Sequence, residues 1–141
     1  MSRFAVIYWS GTGNTEQMAN AVCDGIFESG NEADILTSAE FNSGLIESYA
    51  GFAFGCPSMG AEQLEESEFE PMFEEVKTSL NGKKVALFGS FGWGDGEWMR
   101  NWYADCESNG CVLVCDPVTC NGAPDTQVEQ ELKELGKALV S

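Results

Sequence analysis

Five short, largely apolar runs separated by amphipathic stretches constrain this chain more than any other feature. Arg3 to Trp9, Ala33 to Leu36, Gly51 to Gly55, Lys84 to Phe88 and Cys111 to Val114 have the length and composition of strands buried on both faces. A helix is predicted from about Thr15 to Ser29, with Met18, Val22 and Ile26 on one side. Phe69, Met72, Phe73, Val76 and Leu80 fall at helical spacing, with Pro71 acceptable only in the first turn. A third helix begins with Trp98 and Trp102 and ends at Gly110, and a fourth carries Val128, Leu132, Leu135 and Leu139 on one stripe. Glu40 to Tyr49 is weakly marked and is assigned a helix. Pro117 breaks the fifth run, which resumes at Val118. Strands alternating with such helices predict an α/β fold, a parallel sheet covered on both faces by right-handed crossovers. The length suits one domain over residues 1–141.

In open parallel sheets ligands bind beyond the carboxyl ends of the strands. Three glycine-rich segments lie there, after strands one, three and four. The first, Ser10-Gly11-Thr12-Gly13-Asn14-Thr15, joins a strand to a helix. Its glycines let successive N–H groups turn inward, and its hydroxyls and amide surround the positive end of the helix dipole. Such a loop can hold an anion with uncharged donors; the plainer reading is a capped turn with Asn14 or Thr15 as N-cap. A nucleoside-triphosphate loop would need a lysine, and a dinucleotide fingerprint a third glycine where Glu16 stands. Asp34 is therefore read as a surface residue.

Composition removes several function classes. The net charge of -16 opposes nucleic acid and anionic membranes as partners. The absence of histidine removes the usual metal ligand and the common Ser-His and Cys-His pairs. Six cysteines without an export signal read as buried thiols, since Cys106, Cys111, Cys115 and Cys120 lack zinc or iron-sulfur spacing. No metal site is expected, and a cytoplasmic location is. Glu62, Glu65, Glu66, Glu68, Glu70, Glu74 and Glu75 form either a solvated helix face or an acidic surface that steers basic partners.

Tyr8-Trp9-Ser10-Gly11-Thr12-Gly13-Asn14-Thr15, Gly55-Cys56-Pro57-Ser58-Met59-Gly60 with Glu62, and Gly89-Ser90-Phe91-Gly92-Trp93-Gly94-Asp95-Gly96 together resemble the short-chain flavodoxins of anaerobic bacteria. The resemblance implies a flavodoxin-like three-layer sandwich with a five-stranded parallel sheet in the order 2-1-3-4-5. It also implies non-covalent FMN in a one-electron carrier that is not an enzyme. On that pattern Ser10 to Thr15 hold the phosphate, Trp93 stacks on the outer flavin face and Met59 touches the inner one. The Gly60-Ala61 peptide turns to accept from flavin N5, with Ala61 departing from the polar residue or glycine usual there. Glu62 accepts from N3, and backbone near Asp95 serves the flavin oxygens. Ser58, Ser90 and Asn121 become ribityl or phosphate neighbours, and Phe91, Gly92 and Gly94 complete the third loop.

With a phosphate and a net charge of -16 around it, a flavin that gains negative charge becomes a strong reductant. A low-potential carrier cycling between semiquinone and hydroquinone follows. Redox partner proteins with basic docking surfaces are expected, and a monomeric state. An FMN-dependent reductase or quinone oxidoreductase, or a specialised flavodoxin that activates a metalloenzyme, would use the same fold. A phospho-acceptor receiver would need an acidic cluster where Ser10 and Cys56 to Met59 stand.

Overall fold

Each predicted apolar run becomes a strand of one sheet. The structure, a computed structural model, describes residues 2–59, 63–92, 94 and 96–141. The strands are β1 (Arg3–Tyr8), β2 (Glu32–Thr37), β3 (Gly51–Gly55), β4 (Lys84–Phe91), β5 (Val112–Leu113) and β6 (Val118–Asn121). They run parallel in the order β2-β1-β3-β4-β5, with β6 pairing the far half of β4. The order is therefore 2-1-3-4-5, its fifth strand split by the break at Pro117.

Strand alternation divides the core in two. Ala5, Ile7, Phe52, Phe54, Val85 and Leu87 point to one face, where α2 (Phe69–Val76) and α3 (Glu97–Ser108) pack through Phe69, Phe73, Trp98 and Trp102. Phe4, Val6, Ala53, Ala86 and Phe88 point to the other, under α1 (Asn14–Glu28) and α4 (Thr126–Val140). The large rings of β3 thus serve the first face and its alanine the second. Phe88 has room because Gly55 is beside it; a Cβ there would sit 2.1 Å from the ring.

Several expectations change. The segment 40–49 is not an α-helix but two 3-10 turns, Ser38–Glu40 and Ser43–Ser48. Local polar bonds win over helix propagation: Glu40 accepts from the Thr37 N–H at 2.8 Å, and Asn42 from the Gly44 N–H at 2.9 Å. Gly89 to Phe91 is strand rather than loop, paired with β6. Gly89 permits this because a Cβ would meet the Cys56 carbonyl oxygen at 2.3 Å. Asp34 is more than a surface residue. It pairs with Arg3 at 2.7 Å and accepts from the Tyr49 hydroxyl at 2.8 Å, tying β2 to β1 and to the chain before β3.

Glu65 departs furthest from the sequence reading, which placed it on an open acidic face. It is 6% exposed. Its carboxylate accepts from the backbone N–H groups of Ser67, Glu68 and Phe69 at 3.0, 2.7 and 2.9 Å, closing the start of α2. Burial pushes this carboxyl up, but the bonds from the Ser67 hydroxyl and the three N–H groups outweigh it and leave the pKa lowered. A lowered folded pKa gives stability that is present above the unfolded value of about 4.3 and lost as pH falls through the folded one. Glu65→Gln is expected to cost about 1 to 2 kcal/mol at neutral pH. Urea unfolding should show that deficit shrinking as pH falls below about 4.3; a deficit independent of pH would contradict the charged role.

Candidate functional site

The carboxyl ends of β1, β3, β4 and β6 converge on one cleft of about 280 Å³. β1 delivers Trp9, Gly11, Thr12 and Asn14; β3 delivers Pro57, Ser58 and Met59; β4 delivers Ser90, Phe91 and Gly92; Gly122 closes it beyond β6. A larger cleft of about 420 Å³ lies between α4 and the β5 to β6 connection, away from these loops.

The first loop is shaped around the start of α1. Gly13 is the N-cap residue, in the left-handed region at φ 97, and no side chain caps the helix. The expectation of Asn14 or Thr15 as N-cap is corrected: Asn14 is already the first helical residue, and Thr15 is 1% exposed. Ser10 Oγ accepts from the Gly13 N–H at 2.9 Å, which holds the loop closed. The first N–H groups of a helix have no acceptor within it. Asn14, the first helical residue, lines the cleft, so the start of α1 lies at its edge, where such N–H groups can hold an anion. The Glu16 carboxylate accepts from the Tyr8 hydroxyl at 3.1 Å. Burial first, then that bond and the charge of Glu16, raise the Tyr8 pKa and keep the phenol a donor.

Across the cleft Ser58 is 6% exposed and its Oγ has no hydrogen-bond partner among the described residues. A buried hydroxyl in that state is costly unless something in the cleft bonds it. Its own backbone N–H bonds the Ser90 carbonyl at 3.0 Å, and the Ser90 hydroxyl lies 3.4 Å from that of Thr15. Ser58 and Ser90 therefore give the cleft a floor of hydroxyls, with Thr15 of α1 against Ser90 behind it. Met59 is half-buried and exchanges two backbone bonds with Gln63 at 2.8 and 2.9 Å. Phe91 packs on buried Trp98, ring centroids 5.8 Å apart. The Trp98 indole N–H bonds the Cys56 carbonyl at 3.2 Å, so Trp98 and Trp102 are core as their spacing predicts. Cys56 is fully buried and its thiol is pushed up to about 12, chiefly by burial.

Not every expected residue lines the cleft. Asn121 is exposed at the end of β6, and Gly122 lines the cleft in its stead, its N–H bonding the Phe91 carbonyl at 3.0 Å. Gly94 is exposed at φ 86. Gly60, Ala61, Glu62, Trp93 and Asp95 lie outside the described residues. Trp9 and Pro57 line the cleft without having been singled out; an aromatic ring at the last position of an apolar run, just before a glycine loop, was the available signal for Trp9.

The sequence matches the flavodoxin family over residues 6–136. It is 46% identical to a flavodoxin of Clostridium beijerinckii over 136 residues, covering 96% of this chain and 98% of that protein. The chain belongs to the flavodoxin family. It is also 41% identical over 133 residues to the flavodoxin of Megasphaera elsdenii, covering 94% of this chain and 95% of that protein. The solution structure of that protein in its two-electron reduced state superposes with a TM-score of 0.89 at 40% identity, covering 96% and 97% of the two chains. Flavodoxins are electron carriers that bind FMN and serve redox partner proteins, and this chain is a small FMN-binding electron-transfer protein rather than an enzyme. Among the described residues no helix is long and apolar enough to cross a membrane.

The donor set fits the cofactor. A phosphate suits the uncapped first turn of α1, and the ribityl chain suits the hydroxyl floor with its unpartnered Ser58. Phe91, Met59 and Trp9 give apolar area for a planar ring.

Proposed function

We propose that the phosphate of FMN rests on the first turn of α1 within Ser10 to Thr15, and that the flavin ring lies between the segments 57–62 and 90–95. The observation that carries this reading is the start of α1, opening on the cleft behind a left-handed Gly13 with no side chain capping it. The cofactor supplies the electron chemistry. The chain holds, orients and charges its surroundings. Ser58 and Ser90 bond the ribityl chain, Met59 covers the inner ring face, and Trp93 covers the outer one. The Gly60-Ala61 peptide and Glu62 serve the ring nitrogens, and backbone near Asp95 serves its oxygens.

Segments 10–15, 56–64 and 89–96 contain no lysine or arginine, in a chain of net charge -16. Negative charge arriving on the ring therefore meets no side-chain cation within those loops, only N–H and hydroxyl dipoles and the carboxylates of Glu62 and Asp95. Arg100, in the first turn of α3, approaches Gly96 from outside them. The protein accordingly works as a low-potential, single-electron carrier. Thr12 is exposed at the cleft mouth, so Thr12→Lys adds one positive charge without disturbing the core. At ~8 Å and an effective dielectric near 40 that charge is worth about 1 kcal/mol, or roughly 40 mV. Potentiometry should find two separated one-electron steps, with the lower one rising by about that amount in the variant and less at high salt. One concerted two-electron step near the potential of free FMN, in the parent protein, would overturn the reading.

Glu16 and Glu68 border a second cleft of about 320 Å³ against Ser10, Gly11 and Gly13, and Glu66 is exposed two residues before Glu68. This acidic rim on the flavin side is the proposed docking surface for basic patches of partner proteins. Monomeric, cytoplasmic operation accords with that use.

A further inference from the structure

All six cysteines are free thiols; four are buried, and Cys111 and Cys115 are half-exposed. Two of them meet where α3 ends. Gly110 takes the left-handed conformation at φ 80. Its N–H bonds the Glu107 carbonyl at 3.0 Å, and the Cys111 N–H bonds the Cys106 carbonyl at 3.1 Å. Such a helix ending brings the first and sixth residues of the turn face to face, and two apolar side chains ordinarily fill the contact. Here two thiols fill it. Cys111 packs against the core cluster that contains Cys106. A disulfide needs Cα atoms roughly 4.4 to 6.8 Å apart, and the 3.1 Å bond from the Cys111 N–H to the Cys106 carbonyl holds the two residues side by side.

We propose that Cys106 and Cys111 form a dithiol that a hydroperoxide oxidises to a disulfide, a second redox site at the end of the sheet opposite the flavin cleft. Cys111, half-exposed, is the attacking sulfur; Cys106, fully buried, is the resolving one. The Cys111 thiolate attacks one peroxide oxygen, the O–O bond breaks, and the departing hydroxide takes a proton to leave as water. Cys111 is then a sulfenic acid. The Cys106 sulfur attacks the Cys111 sulfur, the S–O bond breaks, and a second water leaves with the Cys106 proton. Two thiols and one hydrogen peroxide give one disulfide and two waters. The ionisation of the pair agrees with these roles: the Cys106 bond holds Cys111 below the ordinary thiol range, while Cys111 and then burial hold Cys106 above it. Cys115 is an internal control of similar exposure, because burial and then Asp116 raise its pKa.

The test uses the FMN-loaded protein with its flavin oxidised, treated with hydrogen peroxide and followed by intact mass and peptide mapping. One equivalent should produce a Cys106 to Cys111 link that dithiothreitol reverses. Iodoacetamide should label Cys111 about tenfold faster than Cys115. Cys106→Ala, a small change in a packed site, should leave Cys111 as a sulfenic acid trapped by dimedone. Cys111→Ser should abolish the link and leave the fold intact by circular dichroism. Over-oxidation of Cys111 with Cys106 still free, a link to another cysteine, or equal labelling of Cys111 and Cys115 would each overturn the proposal. Because the readouts are on the thiols, failure here leaves the flavin reading untouched.

Discussion

Replacing Gly136 with alanine is expected to destabilise the protein by about 3 kcal/mol, against the sign that helix propensity gives. Gly136 lies inside α4, where alanine normally gains 0.5 to 1 kcal/mol. Its Cβ, however, would sit 2.4 Å from the Val22 carbonyl oxygen and 3.2 Å from the Ile26 nitrogen of α1. Gly25 faces the same crossing from the other helix, where a Cβ would meet the Lys133 carbonyl oxygen at 2.1 Å. These neighbours are backbone and cannot rotate aside. The helices must separate, loosening Leu132, Leu135 and Leu139 over the sheet. Gly25→Ala should act likewise, and the double variant less than additively, because one displacement relieves both clashes. Urea unfolding of the cofactor-free protein measures the effect; unchanged or increased stability in either single variant would refute the close-crossing account.

That crossing also marks the limit of what the sequence disclosed. Strands and helices were legible because apolar period and punctuation carry them, and the strand order came with the family resemblance. A glycine inside a helical stripe reads only as a local cost, since its purpose is the approach of another segment more than 100 residues away in sequence. The same blindness explains Glu65: within a run of glutamates nothing local distinguishes the one turned inward onto three N–H groups from those facing water. The split fifth strand was visible in Pro117, but its two halves pairing successive parts of β4 depend on register, which composition does not encode.

At the cleft, the donor-rich loop was plain, whereas two readings of it were not separable by sequence. A capped turn and an anion cradle use the same residue types. The difference lies in whether Asn14 or Thr15 spends its side chain on the helix, and the backbone puts Gly13 at the cap and both residues inside α1. Ser90 was placed by motif alone; its position in β4, beneath Thr15, follows from the strand continuing through Gly89. Trp9 and Pro57 were overlooked because each reads equally well as the end of a buried strand or the start of a turn.

An aspartate in place of Asn14 is expected to separate the stability of the cofactor-free protein from its hold on FMN. Asn14 is half-buried, is the first residue of α1 and lines the cleft. The substitution keeps the shape and adds one negative charge at the positive end of the helix, which favours the fold by about 0.3 to 1 kcal/mol. A phosphate seated on that turn meets the same charge as a repulsion. At ~4 Å and an effective dielectric near 20 the pair costs about 4 kcal/mol, reduced here by partial exposure and by salt. With about 3 kcal/mol remaining, FMN affinity falls roughly a hundredfold. Riboflavin, lacking the phosphate, should lose less than about threefold, and the gap between the two ligands should narrow as salt rises. Fluorescence titrations with both ligands, beside thermal unfolding of the cofactor-free variant, measure the three effects together. Equal losses for FMN and riboflavin would place the phosphate elsewhere, because only a charge close to Asn14 lets one substitution steady the empty helix and weaken the ligand that sits on it.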